Sequence, residues 1–118
     1  MKVYREKRAW GGFDQFTHHE KSTVKILEIK PGQRFSLQYH HHRAEFWEML
    51  DNPAKVTIGK RTVRAKKGDR FFIKKGTLHR IEAGSKSVRV LEISFGAFKE
   101  NDIVRIEDDY GRVTGRKR

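Results

Sequence analysis

The chain is 118 residues long and carries 27 Lys or Arg against 15 Asp or Glu, a formal net charge of +12, with no cysteine. This excludes a disulfide framework and thiolate metal ligands, fits one domain large enough for a core, and favours anionic partners. The N-terminal Met-Lys-Val-Tyr-Arg-Glu-Lys-Arg has no apolar leader and no run approaches membrane-spanning length, so a soluble cytoplasmic protein with no membrane partner is expected.

Short apolar runs separated by turn signals fill the chain from residue 24 onward. Residues 24–29 end at Pro31-Gly32, and 35–40 follow. Residues 45–50 end at Asp51-Asn52-Pro53, 54–58 at Gly59-Lys60, and 62–65 near Gly68-Asp69. Residues 70–73, 79–82 and 87–95 complete the series, with Gly76, Gly84 and Gly96 between or after them. Such short strands with frequent turns predict an all-β sandwich or barrel. No long helix is expected, only a single turn over 97–102. The run Val-Lys-Ile-Leu-Glu-Ile at 24–29 is similar to Val-Arg-Val-Leu-Glu-Ile at 88–93. Both are expected to be buried strands, in which Glu28 and Glu92 would need partners. Residues 113–118 read as a flexible basic tail. Lys60, Arg61, Arg64, Lys66, Lys67, Arg70, Lys74 and Lys75 cluster in sequence. No helix-turn-helix, zinc-finger or RNA-binding aromatic pattern accompanies them, so they are assigned to exposed faces and turns, with no specific nucleic-acid partner.

The chemistry concentrates in Gln38-Tyr39-His40-His41-His42-Arg43-Ala44-Glu45 and in Gly76-Thr77-Leu78-His79. Side chains alternate along a strand, so Gln38 and His40 share a face, and His42 would join them if the strand ran on, leaving His41 outside. An amide oxygen, two imidazoles and a carboxylate at one point make a ligand set for a divalent cation: Gln38, His40, Glu45 and His79.

From Pro31 to His79 the sequence resembles the cupin signature. Gly32 is followed after five residues by Gln38, with His40 and Glu45 in the next ligand places; Gly68 opens a second motif in which Gly76 and His79 hold theirs. Gln38 replaces the first His, Asn52 a Gly, Lys74 a Pro and Ala83 an Asn. Asn52 is expected to take the positive φ of a turn. The stretch Leu37-Gln38-x-His40-His41-His42-Arg43-Ala44-Glu45-x-Trp47 is similar to the phosphomannose isomerase domain of type II mannose-6-phosphate isomerases. Arg8-Ala9-Trp10-Gly11 and Asp102 to Arg112 resemble the two ends of that domain, whereas Phe46 stands where it has a second His and 48–53 replace a more apolar strand with a Ser-Gly turn.

The resemblance implies a single-domain cupin β-barrel, a jelly-roll or double-stranded β-helix, over 1–112, assembled as a homodimer. It implies an aldose–ketose isomerase acting on mannose 6-phosphate through an enediolate. One divalent ion would serve it, zinc first, with manganese, cobalt or iron as alternatives. Glu45 is the single anion among the four ligands, so the ion would keep net positive charge and act as a Lewis acid. Arg43 would share the stabilisation of oxygen charge, and His42 is the candidate acid–base. A metal-bound water or a carboxylate from 107–109 could also be the base. Arg80, Tyr110 and Arg112 are the candidates for gripping the phosphorylated sugar. No Gly-rich phosphate loop is present, so the guanylyltransferase domain that accompanies many such enzymes is expected to be absent. The alternatives are a non-catalytic cupin that binds a sugar phosphate or another anion, and an iron-dependent cupin dioxygenase.

Overall fold

The computed structural model describes residues 2–115. Among these are eleven strands and no helix: β1 (Tyr4–Arg8), β2 (Gly11–Gln15), β3 (Ser22–Ile29), β4 (Leu37–Tyr39), β5 (Ala44–Met49), β6 (Ala54–Ile58), β7 (Arg61–Ala65), β8 (Arg70–Ile73), β9 (His79–Ala83), β10 (Val88–Phe95) and β11 (Val104–Glu107). Every run expected to be a strand is one, and β1, β2 and β11 are additional. Two sheets face each other, in strand orders β3-β10-β5-β8 and β11-β4-β9-β6-β7, while β1 and β2 form a separate hairpin.

Alternation decides what each sheet buries. In the four-stranded sheet, Met49 opposes Val90, and Val88 opposes Ile29. In the five-stranded sheet, Val56 opposes Ile81, and Ala54 opposes Ala83. These rows meet between the sheets with Trp47, Ala65 and Ile73 as the core. Each large aliphatic side chain removed from water there contributes roughly 1.5–3 kcal/mol.

The outer face of the four-stranded sheet is different. Phe46, buried there, lies 5.4 Å from the Phe16 ring. Edge strand β3 shows Val24 and Ile26 to solvent, at 60% and 59% exposure. The two similar runs are therefore antiparallel neighbours, with Leu27 opposite Val90, but β3 is covered on one face alone. Glu28 is accordingly exposed and needs no partner, whereas Glu92 points inward.

Other turns depart from expectation. Among the described residues the one non-glycine at positive φ is His19, not Asn52. Asn52 holds its turn with its side-chain amide, which donates to the Ser87 carbonyl at 2.9 Å. The turn expected over 97–102 is closed by the Asp102 amide donating to the Lys99 carbonyl at 3.0 Å. Of the basic tail, Thr114 donates its amide to the Arg105 carbonyl at 3.0 Å, and residues 116–118 lie outside those described. The β1–β2 hairpin is tied at its base by Asp14 to Arg70, 2.7 Å apart, and carries Trp10 at its tip with 75% exposure.

Candidate metal centre

Three of the four expected ligands converge inside the barrel. His40, Glu45 and His79 are buried, and one donor atom of each lies within 4.8 Å of the others. Strand β5 supplies Glu45, the first residue of β9 supplies His79, and His40 follows the last residue of β4. The turn before β9 draws these elements together: Gly76, at φ 75°, donates its amide to the His40 carbonyl at 2.8 Å. A side chain would be strained at that φ, which is the physical reason for glycine in the second motif.

The imidazoles are oriented from behind. His40 Nδ1 lies 2.7 Å from the Asp102 carbonyl and His79 Nδ1 2.9 Å from the Thr77 carbonyl. A carbonyl only accepts, so both Nδ1 atoms carry hydrogen and both Nε2 atoms offer lone pairs. These lone pairs face Glu45 Oε1, at 3.4 Å from His40 and 3.2 Å from His79. Glu45 Oε1 and His79 Nε2 are buried and have no hydrogen-bond partner. Three lone pairs converging in a dry interior call for a cation, or for a doubly protonated imidazole in its place. The donor set, with each histidine steadied by a backbone carbonyl, fits a divalent transition ion.

Glu45 Oε2 is held separately, accepting from Ser94 Oγ at 3.0 Å and from Arg43 Nε at 3.5 Å. Burial alone would raise the Glu45 carboxyl, but the His40 and His79 imidazoles beside it hold it below the usual carboxylate range. Gln38 stands opposite His79 in register and so shares its face. Its Oε1 accepts from Ser36 Oγ at 2.5 Å and keeps a second lone pair for a cation.

Arg43 belongs to the centre. It is 7% exposed, with Nη2 3.3 Å from His40 Nε2, Nη1 3.1 Å from the Lys99 carbonyl, and its guanidinium 4.3 Å from the centre of the Phe98 ring. His42 does not join it. The strand ends at Tyr39, so alternation stops, and His41 and His42 are both exposed on a bend. Arg80, Tyr110 and Arg112 are likewise engaged elsewhere. Arg80 follows His79 and therefore points to the opposite face, where it donates to the Phe35 carbonyl and to Glu107, each at 2.9 Å. Tyr110 donates to Gln33 at 2.6 Å, and Arg112 to Asp108 at 2.7 Å. The candidate base carboxylates at 107–109 are paired with Arg80, Arg112 and Arg34.

Two residues beside the centre were given no part in it by the sequence reading. Asp102 accepts the amides of His41 and His42 at 2.9 and 3.0 Å while its carbonyl steadies His40. Glu92, already marked as a carboxylate inside an apolar run, accepts from Trp47 Nε1 at 3.1 Å. Burial, and then the neighbouring Glu45 charge, push Glu92 up to about 7. Phe46, by contrast, faces away from the centre, so that departure from the resembling pattern leaves the three donors untouched.

Comparison with known proteins agrees with this architecture. The family model described as mannose-6-phosphate isomerase C-terminal matches residues 1–108. Xanthan biosynthesis protein XanB of Xanthomonas campestris is 38% identical over 95% of the chain and 24% of its own length. Mannose-1-phosphate guanylyltransferase ManC of Salmonella typhimurium is 37% identical over 90% of the chain and 22% of its own length. The chain thus spans about a quarter of these curated relatives. A solved Klebsiella pneumoniae protein with a double-stranded β-helix domain superposes with a TM-score of 0.63 at 21% identity, covering 75% of the chain and 79% of that protein. The fold is the cupin barrel.

Proposed function

The chain belongs to the mannose-6-phosphate isomerase C-terminal family, and from that premise we propose that it is a metal-dependent aldose–ketose isomerase interconverting mannose 6-phosphate and fructose 6-phosphate. The observation that carries this reading is the convergence of the His40, Glu45 and His79 lone pairs beside the buried Arg43. Those three residues, with Gln38, would hold one divalent ion, zinc first. Bound there, the ion would supply Lewis-acid polarisation of sugar oxygens without a redox step.

The chain's own residues do the rest. Glu45 brings the one negative charge among the four donors, and Ser94 fixes its rotation. Arg43 Nη2 now faces His40 Nε2; once that lone pair is engaged, the same N–H can donate to a substrate oxygen that gains charge as the enediolate forms. Trp47, edge-on to His79 with ring centres 5.4 Å apart, closes the centre from the core side and keeps water out.

Purified protein loaded with zinc or manganese, assayed by coupled detection of fructose 6-phosphate, is expected to turn over mannose 6-phosphate and to stop on chelation. His79→Ala and His40→Ala are expected to lose bound metal by elemental analysis. A folded, metal-loaded protein with no turnover of any sugar phosphate would defeat the isomerase reading. It would favour a second one, supported by the guanylyltransferase name of the Salmonella relative: a barrel that binds a sugar phosphate for another catalytic domain.

A further inference from the structure

With Arg80, Arg112 and Tyr110 engaged on other surfaces, the phosphate of the proposed substrate needs a different anchor. Register identifies one. Gln38 opposes His79 on β9 and Arg105 on β11. Directly opposed residues share a sheet face, so Arg105 projects on the same side as Gln38 and His79. It stands two strands from His79, about 10 Å between Cα atoms at ordinary strand spacing. An open-chain six-carbon sugar phosphate spans that interval.

Arg105 is held by its backbone. Its amide donates to Thr114 Oγ1 at 2.8 Å, and its carbonyl accepts from the Thr114 amide at 3.0 Å. Its side chain has no such satisfaction: Nε is buried without an acceptor. Among the described residues no carboxylate lies within 4 Å of this guanidinium, whereas Arg34, Arg43, Arg70, Arg80, Arg89 and Arg112 each have one. A permanently charged fork with a buried, unanswered N–H, on a backbone held at both its amide and its carbonyl, is suited to an external anion.

We propose that Arg105 binds the phosphate of the substrate, leaving the reacting end of the sugar at His40, Glu45, His79 and Arg43. The identity of the sugar rests on the isomerase reading; the anion rests on Arg105 itself. Calorimetric titration of the zinc-loaded chain is expected to show mannose 6-phosphate binding at least tenfold tighter than mannose. Arg105→Gln should reduce that preference by about tenfold or more, with mannose affinity and zinc content unchanged, and Arg105→Lys should restore part of it. Arg80→Gln and Arg112→Gln should leave it intact. In the parent protein, the Arg105 Nε–H resonance should shift on adding mannose 6-phosphate, a measurement that stands if the variants do not fold. An unchanged preference in Arg105→Gln, an equal loss in Arg112→Gln, or an unmoved Arg105 resonance at saturation would each overturn the proposal. An Arg105-dependent preference in a protein without turnover would sink isomerisation and keep the anchor. Normal turnover with unchanged KM in Arg105→Gln would do the reverse.

Discussion

Arg43 lies where packing and chemistry meet. It stacks on Phe98, braces Lys99, and still has Nη2 beside His40. Arg43→Ala is expected to lower isomerase turnover by roughly 10²-fold, as for loss of one preorganised donor to a developing oxyanion. Arg43→Lys should recover little, because an ammonium cannot reproduce the fork; retained zinc in both variants would show that the loss is in the chemistry. Away from the centre, hydrogen bonds from Arg112 hold the Asp108 carboxyl down to about 2, against 3.8 for an unperturbed group. A carboxyl lowered by folding stabilises the folded state above its unfolded value, and that contribution disappears as pH falls toward the folded value. Asp108→Asn is therefore expected to cost about 1–2 kcal/mol at pH 6 and almost nothing near pH 2, read from urea midpoints. The sequence made His40, Glu45 and His79 legible because their spacing follows local turns. It misplaced Arg80 for an equally local reason: adjacency to His79 along a strand means the opposite face.

The loop between β10 and β11 acts as a clasp on the one between β4 and β5. Asp102 is the pin, with two carboxylate contacts to His41 and His42 and one carbonyl contact to His40. Asp102→Ala is expected to lower stability by about 1–2 kcal/mol, since two buried-side amides lose their acceptor. Zinc affinity should weaken by roughly tenfold or more, the usual consequence of loosening a group that orients a ligand. Thermal melts with and without zinc, and a competitive zinc titration, separate the two effects. Strands β3 to β10 were readable because apolar alternation and turn residues coincide there. Strands β1 and β11 were not, because Tyr4–Arg8 and Val104–Glu107 carry too many charged residues to show a buried stripe. The facing of Arg105 was beyond any local pattern: it depends on the pairing of β11 with β4, interrupted by a register shift between Arg105 and Glu107.

Across the whole molecule, charge and shape separate by surface. The basic residues from Lys60 to Lys75 are all exposed, on β7, on Arg70 of β8 and in the flanking turns, while, of the two buried arginines among the described residues, Arg43 lies at the centre and Arg80 on the opposite face of β9. Binding to duplex DNA is therefore expected to be weak and indifferent to sequence, and to fall steeply between 50 and 200 mM salt; gel-shift titrations at the two salts would show it. No helix among the described residues is long and apolar enough to cross a membrane. The row Arg61, Ile58, His79, Gln38, Arg105 runs across all five strands of one sheet, each residue opposite the next. Such a row obeys parity. Removing a single codon from β9 after His79 would put the ligand out of phase with the strand's remaining inward residues, whereas losing two would keep the facing and slide the row by one pleat. Length changes in this gene are thus graded by oddness as much as by size, and the hairpin tip at Trp10, outside both larger sheets, is free of that rule.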